Sequence, residues 1–440
     1  MSTKIKDLKA RALIDCKGKP LLEVDLVTED GVVGRAASPS GISAGEHEAF
    51  VLRDGDPAWY NGNGVYKAVE MAEQVVLPKI RGMDVLDQKR LDEALIELDG
   101  TPNKSKLGGN VTNSVSLAAM RAGCAILHVP QYRYLNPGEI RTVPLPTSDM
   151  FAGGSYENDT MPVQEVTIVP YKAKSIAEAT DILCRTYAKL PEVIREFQNG
   201  KRPEIGAMSE YIAPTTDFMD CLAILKETAA RCGCEDKIAY HLDCAFSEIY
   251  DAARGTYRYC GREVDLDELI GILRPATEQY DILYLEDPVD ENDWEGWVKM
   301  AEALPRTTLC GDDLTVTNIE YIKKALELGA CGAFVFKPNQ VGTVTEAMAA
   351  QKFAVEHGMF SIPSIRAGGV SDDPVADMGT AGGAAAVKLG PPKFGHAVHI
   401  VNSLLRAESE LPGAKPFDFT GFVKFKRHTG TGTMCRFKEK

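Results

Sequence analysis

The stretch Ile-Leu-Tyr-Leu-Glu-Asp-Pro, residues 282–288, decides the fold of this chain. Four apolar or aromatic residues precede two carboxylates, and the following proline prevents a strand from continuing. The sequence therefore predicts a short buried strand with Glu286 at its C-terminal end.

The same pattern recurs further along the chain. Strand-like segments end on charged residues at intervals of about 25 residues, the length of one strand plus one helix. These charged residues are Glu286, Asp312, Lys337, Arg366 and Lys388. Residues 292–295, 317–320 and 343–346 each place a capping side chain three residues before a glutamate, which predicts a helix start. This layout predicts a parallel barrel wrapped by helices, with the charged residues together at one mouth.

Segments before residue 282 predict further strands and helices and a boundary between two domains. Residues 238–243, Ile-Ala-Tyr-His-Leu-Asp, predict another strand, and residues 163–169 predict a strand before a helix near 175–198. Residues 21–27 alternate as a half-buried strand does. Helical patterns lie near residues 64–81, 85–98 and 111–127. The proline-rich connection 137–146 predicts a boundary between an N-terminal domain, residues 1–137, and a C-terminal domain, residues 138–440.

Composition narrows the class of protein. The formal charge of −14 over 440 residues disfavours nucleic acid as a partner, and the basic stretch 424–440 is interpreted as a solvated tail. No apolar run is long enough to span a bilayer, and residues 1–7 lack the apolar core of a signal peptide. We expect a cytoplasmic protein with no membrane partner and with mostly reduced thiols.

Three carboxylates at neighbouring strand ends suggest a metal site. Asp243, Glu286 and Asp312 offer hard oxygen ligands, which suit Mg²⁺. The alternative is structural: these carboxylates cap helices or pair with Lys337 and Lys388. In either case three clustered carboxylates require a nearby cation.

Lys337 follows the apolar run Ala-Phe-Val-Phe. Near a metal and a second lysine its charged form is disfavoured, which suits a general base; the alternative is a buried ion-pair lysine. Arg366 offers a planar fork for phosphate or carboxylate, or else forms a salt bridge.

Several segments resemble the enolase family. They are residues 30–41 (Asp-Gly-Val-Val-Gly-Arg-Ala-Ala-Ser-Pro-Ser-Gly), 45–49 (Gly-Glu-His-Glu-Ala), 97–108 (Glu-Leu-Asp-Gly-Thr-Pro-Asn-Lys-Ser-Lys-Leu-Gly), 286–297 (Glu-Asp-Pro-Val-Asp-Glu-Asn-Asp-Trp-Glu-Gly-Trp), 311–318 (Gly-Asp-Asp-Leu-Thr-Val-Thr-Asn) and 337–343 (Lys-Pro-Asn-Gln-Val-Gly-Thr). The resemblance extends from about residue 4 to residue 410. It implies an α/β protein in which an α+β N-terminal domain caps a modified (β/α)8 barrel, with bound Mg²⁺ and usually a homodimer.

The resemblance implies a role for each metal and base residue. Asp243, Glu286 and Asp312 correspond to the main metal ligands, and Ser43 to the serine that helps to hold a second Mg²⁺ when substrate binds. Lys337 corresponds to the base that removes the α-proton of 2-phosphoglycerate. Enzymes of this superfamily combine such a lysine or histidine base with Mg²⁺, which stabilises an ene-diolate.

The resemblance also implies the substrate contacts, for a small anionic carboxylate. Lys388 corresponds to the lysine near the substrate carboxylate, Arg366 to the arginine that binds phosphate, and Glu165 to a glutamate beside the substrate. Tyr156 replaces the active-site histidine of the family's Gly-Gly-Ser-His loop.

The remaining departures affect the groups that handle the leaving hydroxyl or the phosphate. The family's Gly-Asp-Glu-Gly-Gly-Phe-Ala-Pro is replaced by residues 206–214, where the acidic Glu becomes Met208 or Ser209, depending on the alignment. Glu210 is the nearby carboxylate that replaces the acid if the loop turns it inward. Residues 364–367, Ser-Ile-Arg-Ala, also lack the family's histidine and its second serine.

Three functions remain open at this point. The first is a lyase that dehydrates 2-phosphoglycerate, with Glu210 or Tyr156 replacing the lost acid. The second is a relative that acts on another phospho-, phosphono- or hydroxy-carboxylate, in a pocket that is less polar at the β-carbon end. The third is a non-catalytic scaffold, against which the complete set of metal ligands and base argues.

Overall fold

The computed structural model describes residues 2–41, 45–157, 161–393 and 395–425. Two predictions fall outside this part of the chain, and a third concerns a residue whose side chain is outside the description. Ser43 lies outside the described residues, and so does most of the predicted basic tail, from residue 426 onward. Tyr156 lies in a 3-10 turn, Gly154–Glu157, but its side chain is outside the description.

The strands alternate with helices through most of the chain, which confirms the predicted α/β class. The strands are β1 (Ile5–Ile14), β2 (Pro20–Thr28), β3 (Val33–Ala37), β4 (Thr142–Val143), β5 (Leu145–Ala152), β6 (Glu165–Val169), β7 (Tyr211–Ile212), β8 (Ala239–Asp243), β9 (Tyr250–Asp251), β10 (Thr256–Tyr259), β11 (Arg262–Val264), β12 (Ile282–Glu286), β13 (Thr308–Gly311), β14 (Ala333–Phe336), β15 (Phe360–Pro363), β16 (Ala386–Leu389) and β17 (Lys415–Pro416).

The helices agree closely with the predicted helical stretches. They are α1 (Tyr66–Glu70), α2 (Leu77–Ile80), α3 (Gln88–Asp99), α4 (Gly109–Leu127), α5 (Gln131–Leu135), α6 (Ile176–Phe197), α7 (Phe218–Arg231), α8 (Leu266–Gln279), α9 (Trp294–Ala303), α10 (Ile319–Leu328), α11 (Pro338–Val341), α12 (Val344–Glu356), α13 (Val375–Gly382) and α14 (Gly395–Glu410). A π-helical segment, Met71–Val76, joins α1 to α2, so the helix predicted near 64–81 is continuous. No helix in the described part of the chain has the length and apolar character needed to cross a membrane.

The chain folds as two compact units that do not follow a single cut in the sequence. The first contains residues 1–141, 315–323 and 335–384, and the second contains residues 142–314, 324–334 and 385–440. The predicted domain boundary at residues 137–138 stays a prediction.

In the first unit, β1, β2 and β3 form an antiparallel meander packed on α4. A Cβ atom at Gly34 of β3 would overlap the carbonyl oxygen of Ala118 in α4. The strand therefore approaches the helix at a distance that only glycine permits.

The large sheet has the strand order β15-β14-β13-β12-β8-β6-β5-β16, and β7 also pairs with β5. Strands β8, β12, β13 and β14 run parallel to their neighbours in this series, as predicted. Strand β6 is the exception, because it runs antiparallel to both β5 and β8. Two smaller sheets, β9-β10-β11 and β4-β17, also lie in the second unit.

The predicted helix starts are correct at one position and displaced by one residue at the other two. Thr343 accepts from the backbone N–H of Glu346 at 3.2 Å and caps α12, as predicted. At α9 the cap is Asp293 instead of Asn292. At α10 the Asn318 side chain accepts from Glu320, because the Thr317 hydroxyl donates to Gln340 instead.

Candidate active site

One edge of the large sheet in the second unit carries three carboxylates side by side. Asp243 and Glu286 are the last residues of the parallel strands β8 and β12 and are paired in register. Glu165 is the first residue of β6, and it aligns with Asp243 because β6 runs in the opposite direction. All three are buried, at 6% exposure or less.

Lys388 of β16 places its ammonium among these carboxylates. Its Nζ lies 3.0 and 2.9 Å from the two carboxylate oxygens of Glu286 and 2.9 Å from Oε2 of Glu165, and it also donates to Asp243. We call these four residues the lysine-held group. The structural ion pair with Lys388 that the sequence left open is therefore present.

The ionisation of this group reflects its burial and its crowding. Burial opposes charge on Lys388, but Asp243, Glu165 and Glu286 together hold its pKa well above the usual value. Burial, followed by the charge of Glu286, raises the pKa of Asp243 to about 7. Three carboxylates thus share one ammonium, and the remaining negative charge favours a further cation.

His241 lies two residues before Asp243 on the same face of β8. Its fully buried ring stacks on Tyr284 with centroids 4.0 Å apart, and its Nε2 lies 3.0 Å from Oε2 of Glu286. Neither ring nitrogen has an aligned hydrogen bond among the described residues. Burial, followed by the charge of Lys388, lowers the pKa of His241 well below its usual value, so the ring is neutral. The sequence analysis missed His241, although its period-two spacing from Asp243 was a signal.

Asp312 groups with two other aspartates. It follows β13, and one oxygen each from Asp287, Asp312 and Asp313 lie within 4.8 Å of one another. We call these residues the aspartate group. Asp287 accepts the backbone N–H groups of Asp312 at 2.9 Å and of Asp313 at 2.8 Å. Burial, followed by the charge of Asp313, raises the pKa of Asp287 well above its usual value.

Glu210 does turn into the interior of the second unit. Ser209 adopts a positive φ of 75°, and its carbonyl accepts a hydrogen bond from the Tyr187 hydroxyl at 2.6 Å. Glu210 is 2% exposed, and its carboxylate groups with those of Asp149 and Glu165 within 4.8 Å. The sequence analysis missed Asp149, a carboxylate inside the fully buried strand β5.

In the first unit, Lys337 directly follows β14 and is half-buried. Its backbone N–H donates to the Thr317 hydroxyl at 2.8 Å, and that hydroxyl donates to Gln340 at 2.8 Å. These two bonds hold the backbone at the strand end where the lysine side chain begins.

Arg366, also in the first unit, is buried beyond the end of β15. Its two terminal nitrogens each lie 3.0 Å from an oxygen of Glu48, and Nη1 lies 3.3 Å from Asn339. The guanidinium therefore binds a carboxylate through both arms, which is the salt bridge that the sequence analysis gave as the alternative.

Comparison with known proteins matches both parts of the chain. A family model described as "Enolase, N-terminal domain" matches residues 5–135, and one described as "Enolase, C-terminal TIM barrel domain" matches residues 140–426. These matches confirm the predicted modified (β/α)8 barrel preceded by an α+β domain.

Curated relatives are similar over nearly their whole length. A protein named enolase from Methanopyrus kandleri is 40% identical over 417 residues, which cover 94% of this chain and 97% of the relative. The enolase of Pyrococcus furiosus is 38% identical over 418 residues, with coverage of 94% and 97%. That of Methanococcus aeolicus is 35% identical over 407 residues, with coverage of 92% and 95%.

Proposed function

The chain belongs to the enolase family, and we propose that it is a hydro-lyase that dehydrates 2-phosphoglycerate to phosphoenolpyruvate with Mg²⁺. The observation that carries this proposal is the lysine-held group. Three buried carboxylates converge there on a position that already accommodates a positive charge.

The donor atoms of the second unit fit Mg²⁺. We propose that Asp243, Glu286 and Asp312 hold this ion, with Ser43 contributing to a second ion when substrate binds. Carboxylate oxygens are the ligands that Mg²⁺ prefers, and Asp243 and Glu286 are adjacent in register. Bound Mg²⁺ would stabilise the negative charge that develops on the substrate carboxylate when the α-proton is removed.

Basic side chains of this chain bind the substrate and remove one proton from it. Lys337 takes the α-proton; it directly follows the strand β14 and is half-buried. Lys388 lies beside the substrate carboxylate together with Glu165. The fork of Arg366 binds the phosphate, as it binds the carboxylate of Glu48 in this structure.

Glu210 supplies the acid that the family motif no longer provides. Its carboxyl is buried beside two other carboxylates, which favours the protonated form that an acid needs. It donates this proton to the leaving β-hydroxyl. Tyr156 is the second candidate for a contact on this side of the substrate.

The proposal also covers the substrate class, the oligomeric state and the location of the enzyme. The substrate is a small anionic carboxylate. We propose that the protein acts as a homodimer in the cytoplasm, as the family resemblance implies, without a nucleic-acid or membrane partner. The charge of −14 supports the exclusion of nucleic acid.

The test is proton NMR of the purified protein with Mg²⁺ and 2-phosphoglycerate in D₂O. We expect formation of phosphoenolpyruvate in the wild type and in the control Lys352→Ala, which changes a lysine that is 74% exposed. Lys337→Ala should lose both phosphoenolpyruvate formation and exchange of the α-proton.

A second candidate is the same proton abstraction on a different carboxylate. Burial of Met208 and Ile365, where the family has polar groups, favours it. Loss of the α-proton signal without phosphoenolpyruvate would support this candidate and overturn the dehydration. No change in either signal, and no stabilisation by Mg²⁺, would support a scaffold.

A further inference from the structure

The second unit buries more carboxylates near Lys388 than the available cations neutralise. The buried groups are Asp149, Glu165, Glu210, Asp243 and Glu286. Before substrate binds, when one Mg²⁺ is proposed to be present, their negative charge exceeds that of one ammonium and one divalent cation together. Like charges confined in a buried site do not all ionise, so at least one of these carboxyls keeps a proton at neutral pH.

Two of the five carboxylates lie away from the contacts of Lys388. Its Nζ contacts Glu165, Asp243 and Glu286. Asp149 and Glu210, which we call the acid pair, group with Glu165 within 4.8 Å but are not in contact with Nζ of Lys388. When Asp243 and Glu286 hold a metal ion, the retained proton is most stable on the acid pair, which Nζ of Lys388 does not contact.

We propose that Asp149 is a positioning residue that shares one proton with Glu210 and keeps Glu210 in the acid form. This inference rests on the proposed function and extends it. During dehydration the shared proton passes to the β-oxygen of the substrate, and the C–O bond breaks with its electron pair on that oxygen. Water leaves, and the electron pair of the α C–H bond becomes the new double bond, while Lys337 holds the α-proton.

Several groups face the acid pair from neighbouring elements. They are Thr167 and Glu165 on β6, Lys388 on β16, Tyr187 on α6 and Tyr284 on β12. The Thr167 hydroxyl donates to Oδ1 of Asp149 at 2.6 Å. Burial, followed by the charge of Glu165, raises the pKa of Asp149 well above its usual value, against the opposing effects of Lys388 and Thr167.

The experiment compares two nearly isosteric substitutions with opposite expected effects on the pH profile of kcat/KM for dehydration. Asp149→Asn removes the neighbouring charge, so Glu210 loses its proton at lower pH. The basic limb of the profile, where kcat/KM falls at high pH, should move down by about one pH unit or more. Thr167→Val removes a hydrogen bond that stabilises charged Asp149, so the acid pair keeps its proton to higher pH. The basic limb should move up by about half a unit.

Two further readouts separate this role from a loss of structure. Exchange of the α-proton into D₂O, which depends on Lys337, should persist in Asp149→Asn at pH values where dehydration has stopped. The infrared spectrum with Mg²⁺ at neutral pH should show a stronger protonated-carboxyl band in the wild type than in Asp149→Asn. Asp267→Asn, which changes an aspartate that is 73% exposed, is the matched control and should alter neither readout.

The outcomes distinguish this inference from the function on which it rests. If Glu210→Gln abolishes dehydration but Asp149→Asn leaves the basic limb unmoved, the role of Asp149 is overturned and the function stands. Unchanged dehydration in Glu210→Gln overturns the acid assignment, and this inference with it. The inference is also overturned if the basic limb shifts in the same direction in Asp149→Asn and Thr167→Val, or if the infrared band is equally strong in the wild type and in Asp149→Asn.

Discussion

The lysine-held group and the aspartate group contain similar residues but are stabilised in different ways. In the first, three carboxylates from separate strands surround the ammonium of Lys388. In the second, Asp287 accepts two backbone N–H groups from residues adjacent to it across β12 and β13. A mobile side-chain cation can be replaced by another cation, whereas backbone dipoles stay where the fold places them. This difference indicates that the lysine-held group is the one that responds most to metal.

The largest effect is expected from removal of the ammonium. Lys388→Met leaves three buried carboxylates without their shared cation, and the free energy of unfolding without metal should fall by about 3–5 kcal/mol. Mg²⁺ should restore part of this loss, because it replaces the missing positive charge. Urea unfolding with and without Mg²⁺ measures both quantities. A loss below about 1 kcal/mol would mean that the ammonium does not hold the group together.

The next largest effect is expected from replacing one aspartate in each group and measuring stabilisation by Mg²⁺. In the wild type, Mg²⁺ at a hundred times its dissociation constant should stabilise the fold by about 2.7 kcal/mol. Asp243→Asn should lose most of this stabilisation, while Asp287→Asn should keep more than half of it. Thermal unfolding at fixed Mg²⁺ concentrations makes the comparison. Equal losses in the two variants would remove the distinction between the groups.

The pH dependence of the free energy of unfolding, measured without metal, tests the raised pKa of Asp243 in the lysine-held group. Asp243 holds its proton up to about pH 7 in the folded protein, against a usual value of 3.8. The folded state therefore binds more protons between these values, and the free energy of unfolding should fall as pH rises through them. The contribution is at most about 1.4 kcal/mol per pH unit. Asp243→Asn should show a flatter dependence in urea unfolding; an identical slope would contradict the raised pKa.

The smallest effect is expected from replacing His241, whose ring contacts Glu286 of the lysine-held group. His241→Phe keeps the stack on Tyr284 but removes the nitrogen that lies 3.0 Å from Glu286. Groups that support a metal ligand typically change metal affinity by tenfold or more, so we expect Mg²⁺ to bind about tenfold more weakly. Titration calorimetry measures this change. Tyr284→Phe is the control, and equal affinities in all three proteins would show that His241 does not support Glu286.

Much of the site was predictable because charged residues at strand ends are visible in the sequence. The apolar run before Glu286 and its terminating proline predict both the strand and its end. Lys337 follows its predicted strand directly, and the family resemblance is confirmed over both matched regions. The helix starts were less predictable, since Thr317 was expected to cap α10 and instead bonds to Gln340.

The sequence by itself determined the α/β class, the family and the chemical types of the candidate residues, because these depend on local pattern and motif. Only the tertiary structure decided which side chains meet. The reversed direction of β6 brings Glu165 beside Asp243, and the turn at Ser209 brings Glu210 beside Asp149. Such contacts depend on strand direction, register and loop conformation, which involve residues far apart in the chain and leave no local signal in its sequence.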